Sequence, residues 1–236
     1  MLTGAGVSTE SGIPDFRSPG GLWAEFDPLE YGSIDAFRAD PEKVWRFYAP
    51  RFSMLTSAEP NAAHRALAEL ERRGLVRAVV TQNIDLLHER AGSRDVVEVH
   101  GSIRTSTCPR EGTRYPLATV LELLDGGAPR CPSCRAVLKP DVVFFGELLP
   151  EAAIDRAFEL ACEARLLLVV GSALEVYPVA GLPRETLDAG GELAIVNLGP
   201  TDYDGRARVR VAAPAGEALE AVLAELGACP GGDHGG

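Results

Sequence analysis

The stretch Gly4-Ala5-Gly6-Val7-Ser8-Thr9-Glu10-Ser11-Gly12-Ile13-Pro14-Asp15-Phe16-Arg17 joins a glycine turn to a compact polar cluster. Glycines in such a turn let backbone N–H groups approach a phosphate, because no Cβ intervenes. Thr81-Gln82-Asn83-Ile84-Asp85 follows an apolar run with amide and carboxylate side chains, a set suited to an amide and to ribose hydroxyls. Asn83-x-Asp85 is also a helix N-cap signal for Leu86-Leu87-His88, and the two readings are compatible. Val99-His100-Gly101 ends another apolar run. Imidazole titrates near neutrality, which suits a general base, although a histidine ending a strand is often a satisfied core residue. His64 and His88 read as structural helix residues. Lys139-Pro140-Asp141-Val142-Val143-Phe144-Phe145-Gly146-Glu147 reads as an apolar strand ending in glycine, a pattern that pairs with an extended peptide or serves as a core strand. Tyr48 and Arg51 are three apart and share a helix face. Arg offers two parallel N–H donors to a carboxylate and Tyr adds a hydroxyl.

These residues need elements to position them. Val76–Val80, Asp95–Val99, Leu166–Val170 and Leu193–Val196 predict buried strands. Ala62–Arg73, Glu151–Ala164 and Gly216–Leu226 predict helices. Strand–helix alternation predicts an α/β fold with a parallel sheet covered on both faces. Ligands of such sheets lie at the carboxyl ends of the strands. Gly4, Gln82, His100, Gly171 and Asn197 each follow an apolar run, so they are expected to converge on one cleft. Two segments break the alternation. Trp23–Phe52 is aromatic-rich and predicts a helical insert over the cleft. Arg104–Lys139 carries three of the five cysteines between Gly and Pro turns and predicts a small separate module. The expected division is a discontinuous domain of 1–103 and 140–228 with the insert at about 24–72, a module of 104–139, and a disordered tail of 229–236.

Composition narrows the partners. The chain has 236 residues, enough for one substantial core or one domain with a small insert. A net charge of −11 disfavours nucleic acid, whose affinity rests on cationic contacts to phosphate. The acidic surface tolerates lysine-rich proteins and equally serves solubility. No apolar run reaches membrane-spanning length and no secretory leader opens the chain. Five cysteines are too few for a disulfide scaffold, and a reducing cytoplasm is expected.

The Gly4, Gly6, Gly12 spacing does not match the Gly-x-Gly-x-x-Gly fingerprint of hydride-transfer enzymes, and Gly12–Arg17 interrupts where a helix should continue. Together the motifs resemble the sirtuins, NAD-dependent protein deacylases, over nearly the whole chain. The resemblance implies a Rossmann-like sheet with a zinc-ribbon-like insert. It implies NAD contacts from Gly4, Ala5, Gly6, Ser8, Asp15, Phe16, Arg17 and Trp23, with Phe16 shielding the ribose face and Arg17 ordering the loop. Gln82 is implied at the ribose, and Asn83, Ile84 and Asp85 at the nicotinamide. Gly171, Ser172, Ala173, Asn197, Leu198, Gly199 and Ala215 fall on the adenosine side. His100 is implied as the base that takes a proton from a ribose hydroxyl. Val143, Phe144 and Gly146 would hold an acyl-lysine peptide. Tyr48 and Arg51 resemble the Tyr-x-x-Arg signature of members that remove succinyl and malonyl groups, with Gly32 where that subclass widens its pocket. The activity implied is hydrolysis of acetyl-lysine, and of succinyl- or malonyl-lysine, to nicotinamide, acyl-ADP-ribose and lysine by a monomer. An ADP-ribosyltransferase and a non-catalytic NAD sensor on the same scaffold are the alternatives.

The chain departs from the family pattern in several places. The zinc module should carry two Cys-x-x-Cys pairs. Cys131 and Cys134 form the second, but the first is Cys108-Pro109-Arg110-Glu111. A carboxylate can ligate zinc, so the outcome is either a Cys3Glu site or a degraded ribbon held by its own packing. Ala173 lacks a hydroxyl the family usually carries, a loss of roughly 1 kcal/mol of hydrogen bonding. Only Met1 and Leu2 precede Thr3, so the first strand is expected to span about two residues, below the usual minimum of roughly three. That predicts a start lying upstream or a stability below that of relatives. Asp40 and Pro41 predict a helix start, and Pro50 predicts its kink or end, which leaves the direction of Arg51 open.

Overall fold

The computed structural model describes residues 1–16, 18–124 and 127–228. Arg17 and the tail from 229 lie outside the described residues. The first strand, β1 (Leu2–Thr3), is followed by a 3-10 segment at Ala5–Ser11. Four helices come next: α1 (Leu22–Glu25), α2 (Pro28–Tyr31), α3 (Ile34–Ala39) and α4 (Pro41–Ser57). Then follow α5 (Ala62–Arg72), β2 (Val79–Thr81), α6 (Leu87–Arg90), β3 (Val96–Glu98), β4 (Gly101–Thr107), β5 (Arg114–Pro116), α7 (Leu117–Leu123) and β6 (Lys139–Val142). The chain continues through α8 (Glu151–Glu163), β7 (Leu166–Val170), α9 (Leu182–Asp188), β8 (Glu192–Val196), β9 (Val209–Val211) and α10 (Ala215–Ala228).

A six-stranded sheet runs in the order β3-β2-β1-β7-β8-β9, and each neighbouring pair is parallel. The two-residue β1 pairs with β2 on one side and β7 on the other, and both its residues are buried. One face of the sheet packs Leu2, Val80, Val97, Val169, Leu193 and Ile195 against α8 and α9 through Ala157, Ala161 and Leu182. The other packs Val170 and Val196 against α5 and α10 through Ala63, Ala66, Leu67 and Leu219. Thus α5, expected at the far end of the insert, belongs to the sheet. The connections turn in opposite directions on either side of the β1/β7 pair. That reversal is where such folds leave a crevice for a ligand.

The cysteine module folds on a second, antiparallel sheet, β5-β4-β6. It is not packed by itself. Cys108, Val120, Cys131, Val137 and Leu138 share one apolar cluster with Phe37, Val44, Trp45 and Phe52 of the helical insert. Trp45 Nε1 donates to the Leu138 carbonyl at 2.6 Å, so even the indole's polar handle is used to join the two. Asp40 caps α4 through the Lys43 N–H with Pro41 in the first turn, as its sequence predicts. The helix nevertheless runs through Pro50 to Ser57. Pro50 lies on the exposed side, while the buried Val44, Trp45, Phe47, Phe52 and Leu55 hold the helix together on both sides of it. Tertiary packing outweighs the local cost of proline. The stretch expected as a strand up to Glu147 ends its regular pairing at Val142. Beyond it, Phe145 bridges to Ser33, with Phe145 N–H donating to Gly32 O and Ile34 N–H to Phe145 O. The insert therefore takes the pairing that would have prolonged the strand.

Candidate active site

The cleft is built where β1, β2, β3 and β7 end. Gly4 N–H donates to Val170 O and Gly6 N–H to Gly171 O, at 3.1 and 2.9 Å. A Cβ on Gly4 would lie 2.8 Å from Gly171 O, and one on Gly6 would lie 2.8 Å from Gly171 Cα. Gly171 has φ +60°, and a Cβ there would sit 2.3 Å from Val7 N. These three positions must be glycine because two backbones touch. The close approach read from the sequence as room for a phosphate is first an approach of the loop to the end of β7.

Behind that contact lies a saturated polar cluster. Ser8 Oγ donates to Asp85 Oδ2 at 2.7 Å and accepts from Asn83 Nδ2 at 3.0 Å. Its one proton is thereby committed, and His64 Nε2 lies 3.4 Å away. His64 Nδ1 lies 3.3 Å from the Asn61 backbone N and 3.0 Å from Asn61 Oδ1, closing a capping box on α5. Asn61 Nδ2 donates to Val7 O at 2.8 Å, tying the same cap to the glycine loop. Burial pushes His64 down to about 4 and His88 down to about 3, so both rings are neutral near pH 7. Asp85 also accepts the Leu87 N–H at the first residue of α6 while facing Ser8; the N-cap position itself is Leu86. His64 and His88 hold structural places, as expected, but His64 borders the cleft cluster. Nothing in the local spacing around His64 announces Ser8.

Gln82 Nε2 donates to Ser172 Oγ at 2.9 Å and to Thr3 O at 3.3 Å. Two residues expected to meet a ligand therefore also cross-link the strand ends. His100 is half-buried just past β3, and its Nδ1 lies 3.1 Å from Gln82 O. A carbonyl only accepts, so Nδ1 carries the proton and Nε2 is the basic nitrogen of the neutral ring. Val143 N–H donates to His100 O at 2.9 Å, which sets the expected peptide segment beside this histidine.

Phe16 and Trp23 stack at 5.4 Å, and Trp23 stacks on Phe47 at 6.1 Å. Asp15 Oδ1 accepts the Ser18 N–H, and Ile84 packs against the insert's cluster. Gly32 admits the Trp23 ring; a Cβ there would meet it at 3.3 Å. Tyr48 packs its ring 5.4 Å from that of the buried Phe144, and burial pushes its phenol well above the usual range. Arg51 lies over the Phe47 ring at 3.5 Å and the Phe26 ring at 4.9 Å and donates to Phe47 O. Burial lowers its pKa from the ordinary value, yet guanidinium stays charged. No carboxylate lies within 4.0 Å of it among the described residues, and its Nε is buried with no partner. Lys139, which carried no assigned role, is 2.8 Å from Glu147, whose carboxylate also accepts the Phe144 N–H. Ser172 accepts the Leu174 N–H beside Ala173, and Asn197 Nδ2 donates to Gly199 O, with Leu198 exposed. Ala215 is buried with Val7 and Leu219 at the start of α10, where Glu10 accepts the Gly216 N–H. Gly146 adopts φ +87°, a turn that favours glycine.

In the module, the Cys108, Cys131 and Cys134 sulfurs and a Glu111 oxygen lie within 4.8 Å of one another. Three soft thiols and one carboxylate are donors zinc accepts, so the four could hold it.

The Sir2 family model matches residues 4–178. An NAD-dependent protein deacetylase of Caldivirga maquilingensis is 51% identical over 227 residues, covering 95% of this chain and 87% of that protein. An NAD-dependent protein deacylase of Thermococcus sibiricus is 43% identical, covering 97% and 91%. A solved Sir2 with a deacetylated p53 peptide and 3′-O-acetyl ADP-ribose superimposes with a TM-score of 0.91 at 43% identity, covering 95% and 91%. Another, Sir2 with a p53 peptide and NAD+, gives 0.88 at 42%, covering 96% and 92%. The glycine contact at the sheet reversal, the cluster behind it and the histidine beside it thus stand in a chain that belongs to the Sir2 family.

Proposed function

We propose that this chain is an NAD-dependent protein-lysine deacylase that transfers an acyl group from lysine to ADP-ribose. The observation that carries the proposal is the placing of His100: its Nδ1 is committed to Gln82 O, which leaves Nε2 as the base, and its own carbonyl is paired to Val143. Gly4 to Ser8, Gln82, Asn83, Asp85, Gly171 and Ser172 surround the place for the dinucleotide, with Phe16 and Trp23 over it. Bound NAD supplies a ribose carbon that accepts the acyl oxygen as nicotinamide leaves. His100 Nε2 takes the proton from a ribose hydroxyl. Val143 and Gly146 offer backbone to an extended peptide, and Tyr48 and Phe144 shape the acyl end. The deacetylase names of the relatives and the acetylated and propionylated peptides in related structures support this substrate class.

Arg51 favours a finer reading, that acidic acyl groups such as succinyl or malonyl are accepted. A half-buried guanidinium with an unpartnered Nε and no carboxylate within 4.0 Å among the described residues has room for one from a ligand. The division into a sheet domain of 1–103 with 140–228 and a module of 104–139 is part of the same reading, as are a monomeric state and a reducing cytoplasm. The free thiols of Cys108, Cys131, Cys134 and Cys162 support the last, and no helix among the described residues is long and apolar enough to cross a membrane.

Nicotinamide release and lysine unmasking, measured with acetyl- and succinyl-lysine peptides, test the proposal. His100→Ala should lower both by roughly 100- to 10,000-fold, the range of a lost general base. Nicotinamide release without unmasking would replace deacylation by ADP-ribosyl transfer, and no release from the intact chain would leave an NAD sensor.

A further inference from the structure

The module departs from a four-thiolate zinc ribbon at one ligand, and two residues outside the donor set are arranged around that departure. Cys108 and Cys131 are buried, Cys134 is half-buried, and Glu111 reaches in from the exposed side. Ser133 Oγ donates to Glu111 Oε1 at 2.9 Å. With that oxygen held, the other, Oε2, faces Cys131 Sγ at 3.4 Å. Tyr115 Oη lies 3.2 Å from the same sulfur, and Cys108 Sγ is 3.4 Å from Cys134 Sγ. A carboxylate with one oxygen bonded to a hydroxyl presents the second as a single, directed donor. A thiolate ligand carries surplus charge that a phenol O–H can take up.

We propose that Glu111 binds zinc through Oε2 alone as the fourth ligand, with Ser133 and Tyr115 as the positioning residues of the carboxylate and of Cys131. The inference rests on the module holding zinc and goes beyond it by naming which oxygen binds and what aims it. Three soft sulfurs and one hard oxygen satisfy a four-coordinate zinc, and partners that orient ligands are commonly worth 10- to 100-fold in affinity. Cys108 and Cys131 stand on the core side, and the carboxylate is the most exposed arm of the four.

Zinc content of the purified full chain, competition with a chromophoric chelator, and the thiolate-to-cobalt charge-transfer band after cobalt(II) exchange decide the matter. The intact chain should hold one zinc and show a three-thiolate band. Glu111→Gln and Ser133→Ala should each weaken zinc by about tenfold or more with that band intensity kept. Glu111→Cys should raise the band by about a third, four thiolates against three. Zinc affinity unchanged in both Glu111→Gln and Ser133→Ala overturns the assignment, as does an unchanged band in Glu111→Cys. Should Glu111→Gln fail to fold, Ser133→Ala and Glu111→Cys, which both keep a donor at the position, still decide. An intact chain that binds no zinc overturns the zinc reading itself, a result distinct from zinc bound with indifferent variants.

Discussion

Single side chains in this cleft are specified by what their neighbours have left them. Ser8 uses its proton on Asp85 and accepts from Asn83, with the His64 ring beside it. It is thereby a fixed post rather than a nucleophile, despite sitting between a histidine and a carboxylate. His100 is assigned its tautomer by one carbonyl. Arg51 is held by aromatic faces and the Phe47 carbonyl, with no carboxylate within 4.0 Å among the described residues. If that charge reads an acidic acyl group, Arg51→Met should lower kcat/KM for a succinyl peptide by roughly 10- to 150-fold, the worth of about 1.5–3 kcal/mol in charged hydrogen bonds. Deacetylation should change less than about threefold, since an acetyl group has no carboxylate to clasp. Equal losses on both peptides would remove the clasp and leave Arg51 as packing.

Among the elements, α4 and α5 carry the clearest consequences. Pro50 interrupts α4 without ending it, because apolar residues on both sides are anchored in one cluster. Restoring the missing N–H should therefore stabilise: Pro50→Ala is expected to raise unfolding free energy by about 1–3 kcal/mol in urea titrations. The start of α5 does two jobs through one side chain. Asn61 caps the helix with Oδ1 and holds Val7 O with Nδ2. Asn61→Ala should cost about 1–2 kcal/mol for the cap. It should also raise KM for NAD more than it lowers kcat, since the glycine loop loses its tether. A KM that does not move, with the stability loss present, would restrict Asn61 to capping.

At the scale of the whole molecule, the buried imidazoles set a pH dependence. His64 and His88 have folded-state values of about 4 and about 3, both below the ordinary 6.5, chiefly because burial disfavours the charged ring. Between 6.5 and those values the unfolded chain binds more protons than the folded one. Stability should therefore be full above pH 6.5 and fall as pH drops toward about 4, by up to about 1.4 kcal/mol per unit for each ring. Urea midpoints at pH 7.5, 6 and 5 check this, and a flat series would show that the rings ionise in place. Much of the architecture was legible beforehand. Apolar runs separated by helical patterns specify a parallel sheet, and the polar or glycine residues after five apolar runs specify where its cleft lies. Pairings between distant segments were not. Ser8 meets Asp85 across 77 residues and Glu10 meets Gly216 across 206. Nor does spacing tell that Arg104–Lys139 shares its core with the helical insert, or that Phe145 pairs with Ser33 rather than prolonging a strand. By itself the sequence determined the chemical inventory: a base, amides, glycines, a thiol set with one carboxylate. Only the tertiary structure decided that Gly4 and Gly6 are glycine because Gly171 presses against them, that Gln82 and Ser172 hold each other, and that Ala215 is interior. The physical reason is that a local stretch encodes donors, acceptors and periodicity. Which donor meets which acceptor is decided by close packing, once buried polar groups from several strand ends must all be satisfied together.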